Sequence, residues 1–345
     1  MTPERIVNLD GWAREAVPPA VVERLRGARH VLAVTHENPD ADTLGAVLGV
    51  CLLVEAMGGR ATAVSTDPVP ALYAFLPGMD RFVRDPEPGT RYDVLVLADC
   101  ASPSRVGDVA LRHPEPFADL PRVTIDHHAS NDSAGEADWI DPRAAATCEM
   151  VALLAVCLGQ PLDLAGGALA NALMAGIVMD TSTFAHPNAT PRTLEVAAAL
   201  VQVHAQLSDI SRRLYRTKPE AQLRLFGRVL TRLESTDGGR IAWSTLRLED
   251  LAATGATGPH SEGIIDLIAQ AEDAEVAMLL KEQEDGTTRL SVRTKPGGVD
   301  ATVLTGAFGG GGHARASGAS LALPIDEAVA PVLAEARSLV AAVRR

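Results

Sequence analysis

Aromatic residues make up only 3% of this 345-residue chain, cysteines number four, and the 31 lysines and arginines are outnumbered by 44 aspartates and glutamates. Each shortage excludes something. A net charge of −13 removes the dense basic surface that grips the many phosphates of long DNA or RNA, so a long duplex is a poor candidate ligand. The scarcity of aromatics argues likewise against a processive exonuclease channel lined by stacking side chains. A small phosphorylated ligand stays open, because a few local cations can hold it against an acidic background. Cys51, Cys100, Cys148 and Cys157 form no C-x-x-C pair, and three lie in or beside apolar runs. They read as buried reduced thiols, not as a zinc site or disulfides. The most apolar stretch, 150–179, is interrupted by Gln160, Pro161, Asp163 and Asn171, which leaves no uninterrupted membrane-spanning length. The opening "MTPERIVNLDGW" has no cationic patch followed by an apolar run and does not read as a secretory signal, so a cytoplasmic location without membrane contact is expected. Also missing are the GK[ST] phosphate loop, the G-x-S-x-G elbow and the H-E-x-x-H zinc helix.

What is present is 47% hydrophobic residues with charge well mixed along the chain, enough for two domains each with its own core. In the first half, short apolar runs (31–35, 61–66, 93–98 and 122–125) alternate with helical patterns, which predicts a parallel sheet flanked by helices in an α/β domain. Leu44, Val47, Leu48, Cys51 and Leu52 recur at helical spacing before Gly58-Gly59, completing one β-α-β unit. Further helices are expected at about 145–158, 166–179 and 191–203, the last capped by Thr190 with Pro191 at its first position. The first domain is placed at 1–204. Residues 205–235 turn basic and helical and read as a connector, leaving 236–345 as a second, smaller domain. There "EVAMLLKEQ" and "TTRLSVRT" flank Glu284-Asp285-Gly286, a hairpin signal, and a closing helix begins near Asp326.

The acidic residues are not scattered. "VLAVT" leads into His36, Asp40 and Asp42; "VLVLA" into Asp99; "RVTI" into Asp126, His127 and His128. In an open parallel sheet the carboxyl ends of the strands share one edge, so the three clusters should converge. Asp180 follows the apolar helix in "GIVMDTSTF" as a fourth candidate. Five carboxylates and three imidazoles with no lysine or arginine among them would repel one another, and divalent cations would supply the missing charge. Mixed imidazole and carboxylate donors suit manganese or a similar ion better than a thiolate-rich zinc site. Singly, each residue has a plainer reading: Asp42 can cap the helix starting near Thr43, and Asp99 and Asp126 can be strand-end turn residues. Glu37 is expected to be solvated.

"HENPDAD", "LADCAS", "TIDHHAS" and "GIVMDTSTF" resemble, in order and approximate spacing, the four motifs of the DHH phosphoesterase superfamily. "SVRTK" and "FGGGGHARASG" look like the accessory DHHA1 domain, a smaller mixed-sheet α/β domain that binds substrate. The resemblance implies a two-metal site, with His36, Asp40 and Asp99 on one ion and Asp42, Asp99, His127 and Asp180 on the other. Asp99 would bridge. It implies two Mn2+ per site, with Mg2+ or Co2+ as substitutes, activating a shared water. His128 would meet a phosphoryl oxygen, and Asp126 would orient a histidine. In the second domain Arg293, the backbone of Gly310, Gly311 and Gly312, and the donors His313 and Arg315 would hold a substrate phosphate. A glycine-rich surface loop and a solvated edge arginine are the plainer readings there.

A stand-alone chain of this length looks like the nanoRNase and pAp phosphatase group. That implies short oligoribonucleotides, linear dinucleotides such as pApA or small bisphosphorylated nucleotides as substrates, and a homodimer. The alternatives are a cyclic-dinucleotide phosphodiesterase and a non-catalytic nucleotide sensor; an inorganic pyrophosphatase would lack the glycine-histidine signature. Two departures stand out: Ser182 occupies the third position of Asp180-Thr181-Ser182, where glycine is commoner, and Thr294 follows Arg293, where serine is usual.

Overall fold

The computed structural model describes residues 7–343 apart from positions 101, 132, 134 and 136. The chain divides into two compact units, Met1–Thr217 and Lys218–Arg345, with the boundary inside the stretch 205–235. In the first unit α1 (Asp10–Ala16) and α2 (Pro19–Gly27) precede β1 (His30–Val34), α3 (Ala41–Ala56), β2 (Arg60–Val64) and β3 (Val94–Ala98). Then come α4 (Val109–Arg112), α5 (Pro114–Asp119), β4 (Arg122–Asp126), β5 (Asp138–Ile140), α6 (Thr147–Cys157), α7 (Leu164–Asp180), α8 (Pro191–Gln202) and α9 (Leu207–Ser211).

The five strands form one parallel sheet in the order β2-β1-β3-β4-β5, with Val31 paired to Ala61 on one side and Val94 on the other. The order reverses between β1 and β3, and at such a switch point the loops leaving the two strands diverge and open a crevice for a ligand. Helix α3 is buried on every side from Ala41 to Val54, and α6 and α7 pack against it. It is thus a central helix, as an apolar pattern without a polar face requires. The 166–179 helix starts later than its sequence suggests: Ala165, Gly166 and Gly167 have φ of 54°, 66° and 88°, a left-handed turn before the regular helix. Thr190 caps α8, its Oγ1 accepting the Thr193 amide while Thr193 Oγ1 accepts the Thr190 amide.

The second unit runs α10 (Glu220–Leu230), β6 (Glu234–Thr236), β7 (Ile241–Leu246), α11 (Leu248–Thr254), α12 (Ile264–Ile268), β8 (Val276–Glu282), β9 (Thr288–Thr294), α13 (Ala301–Gly306), β10 (Gly311–His313), β11 (Ala316–Leu321) and α14 (Ile325–Ala342). Its sheet has the order β10-β11-β9-β8-β7-β6, parallel only between β7 and β8. Strand alternation separates two cores. Met278, Leu290 and Val292 join residues of α13 and α14 on one face, and Ala277 and Leu279 join Leu225 of α10 and Ile265 of α12 on the other. The hairpin expected at Glu284-Asp285-Gly286 joins β8 to β9, with Asp285 Oδ1 accepting the Thr287 amide at 3.0 Å. No helix among the described residues is long and apolar enough to cross a membrane.

Candidate metal centre

Strands β1, β3 and β4 deliver their charged residues to the same edge. Past β1, the buried His36 donates from Nδ1 to the Glu37 carbonyl at 2.7 Å. That fixes the tautomer and leaves the Nε2 lone pair facing Asp99 Oδ2 at 3.6 Å and Asp40 Oδ2 at 4.0 Å. Asp40 divides its two oxygens. Oδ1 caps α3 by accepting the amides of Asp42 at 2.9 Å and Thr43 at 3.1 Å, while Oδ2 turns to His36. The cap of this helix is therefore Asp40 and not Asp42, because only the residue before the first turn can reach those amides. The Glu37 side chain stays at the surface.

Asp42 is fully buried, and its oxygens accept the amides of Thr147 at 2.7 Å and Cys148 at 2.9 Å, the first residues of α6. A carboxylate at a helix N-terminus meets both unpaired N–H groups and the positive end of the helix dipole. Asp99 follows β3 with φ of 59°, a left-handed conformation that a non-glycine residue holds only where its surroundings impose it. Its amide donates to Ile125 O at 2.9 Å, and its Oδ1 accepts the Thr147 hydroxyl at 3.0 Å.

Beyond β4, His127 Nε2 stands 3.2 Å from Asp180 Oδ2, 3.4 Å from Asp99 Oδ1 and 4.0 Å from Asp42 Oδ2. His128 Nδ1 donates to Asp126 Oδ1 at 2.7 Å, and the buried Asp126 is held in turn by Asn131 Nδ2 on Oδ2 at 2.7 Å. Asp126 thus orients His128 from behind. Asp180 arrives at the end of α7, whose approach depends on Gly176: a Cβ there would lie 2.4 Å from Cys148 Sγ and 2.5 Å from Asp42 Oδ1.

Three donor triads result, each with its atoms within 4.8 Å of one another: His36, Asp40 and Asp99; Asp42, His127 and Asp180; Asp99, His127 and His128. Asp99 belongs to two of them. The side chains meet their crowding with protons. Burial, then Asp99 and Asp180, pushes Asp40 up to about 6. Burial and the same two neighbours push Asp42 well above the ordinary carboxylate range. Burial raises Asp180 despite its bond to His127. For Asp99 burial is outweighed by His127 and His36, which lower it. Burial opposes charge on His127, yet Asp180, Asp99 and Asp42 raise it to about 12. Divalent cations fit this donor set of two accessible imidazole nitrogens and four carboxylates, because they neutralise the acids that otherwise must hold protons.

His36, Asp40, Asp42, Asp99, His127 and Asp180 all lie in this one cluster, with His128 and Asp126 beside it. Sequence reasoning missed Thr147 and Cys148, whose amides and hydroxyl fix Asp42 and Asp99, and Asn131, which steadies Asp126. It also missed the buried Arg192, whose Nε donates to Glu149 Oε1 at 2.5 Å and Nη1 to Asp141 Oδ2 at 2.8 Å. That clamp braces the segment that presents Thr147. The one available signal was the start of α6 at Thr147.

The substrate-binding candidates lie in the second unit. Arg293 Nε donates to Asp266 at 2.9 Å, and register places Arg293, Ala316 and His313 side by side on one sheet face. Gly311 and Gly312, the second half of the glycine run, lie in an edge strand, β10, and not in a free loop. Gly310 and Gly312 are demanded by packing, since their Cβ atoms would lie 2.2 Å from Gly318 O and 2.7 Å from Ala316 O. Gly311 has open space where a side chain would be. Arg315 spends Nη1 on the carbonyls of Lys295 at 2.7 Å and Val299 at 3.2 Å, bracing the turn before α13.

Comparison with known proteins gives the same division. The family model "DHH family, N-terminal domain" matches residues 30–177, and "DHHA1 domain" matches residues 242–342. The chain is 33% identical over 327 residues to the bifunctional oligoribonuclease and PAP phosphatase NrnA of Thermus thermophilus, covering 94% of each chain. It is 26% identical to the protein of the same name from Bacillus subtilis, covering 83% of this chain and 87% of that one. An exopolyphosphatase-related protein from Bacteroides fragilis superposes with a TM-score of 0.86 at 19% identity, over 96% of this chain and 99% of that one, a likeness of fold.

Proposed function

From the premise that this chain belongs to the DHH family, carries a DHHA1 domain and falls in the oligoribonuclease and PAP phosphatase group, we propose that it is a metal-dependent phosphoesterase. Its substrates are short oligoribonucleotides and the 3'-phosphate of pAp. The observation that carries this reading is the pair of triads, His36/Asp40/Asp99 and Asp42/His127/Asp180, pressed together around Asp99. His36, Asp40 and Asp99 hold one cation, and Asp42, Asp99, His127 and Asp180 the other. A pair of divalent ions, manganese in this reading, supplies charge neutralisation for a phosphoryl group and a water of lowered pKa.

The chain's own groups do the rest. Asp126 and Asn131 lock the His128 ring, and the Asp126 bond raises its pKa, which favours the charged form that can donate to a phosphoryl oxygen. Thr147 and Cys148 keep Asp42 and Asp99 aimed through bonds that cost no reorganisation when substrate arrives. In the second unit Arg293, His313 and the open backbone at Gly311 receive another phosphate of the substrate.

A product assay with manganese, offering pAp, a diribonucleotide and a cyclic dinucleotide side by side, tests the proposal. Release of phosphate from pAp and of mononucleotides from the diribonucleotide is expected, with loss of both in Asp99→Ala. Cleavage of the cyclic dinucleotide alone would move the activity to that substrate class. Binding without turnover of any of the three would make the protein a sensor.

A further inference from the structure

The second sheet carries two cations side by side, neither of which forms an ion pair with a carboxylate among the described residues. Lys281, one of only three lysines in the chain, lies directly opposite Arg289 across the β8–β9 pair, so both side chains project from one face. They line a cavity of about 940 Å³ together with Arg293 and Ser291. Like charges placed opposite one another on antiparallel strands cost stability. Inside the protein little offsets that cost. Lys281 Nζ donates to the Ser261 hydroxyl at 3.1 Å, and Arg289 is exposed with neither a hydrogen bond nor an ion pair among the described residues. Burial and Arg289 lower the Lys281 pKa, with Glu262 only partly compensating. Of the other acids lining the cavity, Asp266 is engaged with Arg293, Glu282 with the Leu248 amide at 2.9 Å and Asp285 with Thr287, while Glu284 is exposed in the β8–β9 turn.

The register shows what lies between the cations. Lys281, Arg289 and Ser320 form one row across the sheet, and Arg293, Ala316 and His313 another. The row between them runs from Leu279 on β8 through Ser291, Gly318 and Gly311, so that beyond β8 it raises no tall side chain. Arg289 and Arg293 are four residues apart on one strand, about 13 Å at 3.3–3.4 Å per residue, too far for a single phosphate and about twice the step between adjacent phosphates, so the two would meet phosphates two nucleotides apart on one chain.

We infer that Lys281 and Arg289 form a second anion subsite, which takes a backbone phosphate of the oligonucleotide distal to the one at Arg293 and so favours substrates of several nucleotides over pAp. This rests on the proposed phosphoesterase activity and adds to it a determinant of substrate length.

The test compares kcat/KM on pAp and on a pentaribonucleotide for the wild type, Lys281→Met, Arg289→Gln and the double variant. At least a ten-fold loss on the pentanucleotide is expected in the double variant, against less than a two-fold change on pAp. Arg289→Lys should restore most of the loss. Equal losses on both substrates, or none on either, would overturn the inference. Arg289 is exposed, so the single variant reports even where the double one folds poorly. Should the wild type hydrolyse neither substrate, the activity itself is what fails. Fluorescence anisotropy with the pentaribonucleotide then decides the subsite: weaker binding in Arg289→Gln supports it, and unchanged binding sinks it.

Discussion

Replacing Arg192 by methionine isolates the clamp beneath the metal centre. The side chain is buried and joins Glu149 to Asp141, while Thr193 Oγ1 adds a bond to Glu149 at 2.6 Å. Removing one partner of a buried ion pair leaves the other charge uncompensated, at a cost of about 3–5 kcal/mol. Arg192 Nη2 has no partner of its own, so the lower end applies, about 3 kcal/mol. At about 2–4 °C per kcal/mol for a unit of this size, the calorimetric transition of the N-terminal unit should fall by about 6–12 °C at pH 7. The sign with pH follows from Asp141. Burial alone would raise its pKa, but Arg192 and Arg143 lower it below the ordinary value of 3.8. Its contribution is therefore complete above the unfolded-state pKa and is lost as pH falls through the lower folded value. The gap between wild type and Arg192→Met should narrow below about pH 4. A shift under 2 °C at pH 7, or a gap that widens in acid, would refute the reasoning.

Other expectations follow from single contacts. Manganese affinity should climb as pH rises from 5 to 8, because Asp40 (about 6) and the raised His127, Asp42 and Asp180 must release protons to bind it; titration calorimetry in buffers of different ionisation heat should detect that release. Gly176→Val should lower both stability, by at least about 1–3 kcal/mol, and metal affinity, since its side chain would drive into Asp42; unchanged manganese binding in a folded variant would contradict the packing argument. Ser182→Gly should raise the melting temperature by about 1–4 °C, because Ser182 sits at φ 48° and glycine adopts that conformation without the Cβ penalty. A lower melting temperature would show that the serine hydroxyl matters more than the strain.

The four strands β1 to β4 were legible because β-branched, apolar runs recurred at regular intervals, three of them ending in the charged clusters, and a parallel sheet turns that rhythm into one shared edge. Strand β5 is only three residues long and left no such mark. The donors at strand ends could be picked out from sequence, but what aims them could not. Asp42 and Thr147 are 105 residues apart, and nothing local to either says that a helix N-terminus will meet a carboxylate. The same holds for Arg192, which reads as an ordinary first-turn residue of α8 until the fold puts Glu149 and Asp141 around it. Glycines misled in the opposite sense. Gly310 and Gly312 look like ligand-facing positions, yet close strand packing already requires them. Of the three glycines 310–312, Gly311 alone has open space where a side chain would be.

The most direct test counts ions without reference to turnover. Titration calorimetry of manganese into the wild-type chain and into Asp99→Ala should give two sites in the first and a loss of both, or a drop in affinity of at least 100-fold, in the second, because Asp99 stands at the junction of the two groups. Two sites of unaltered affinity in Asp99→Ala, or no manganese bound by the wild type, would contradict the account.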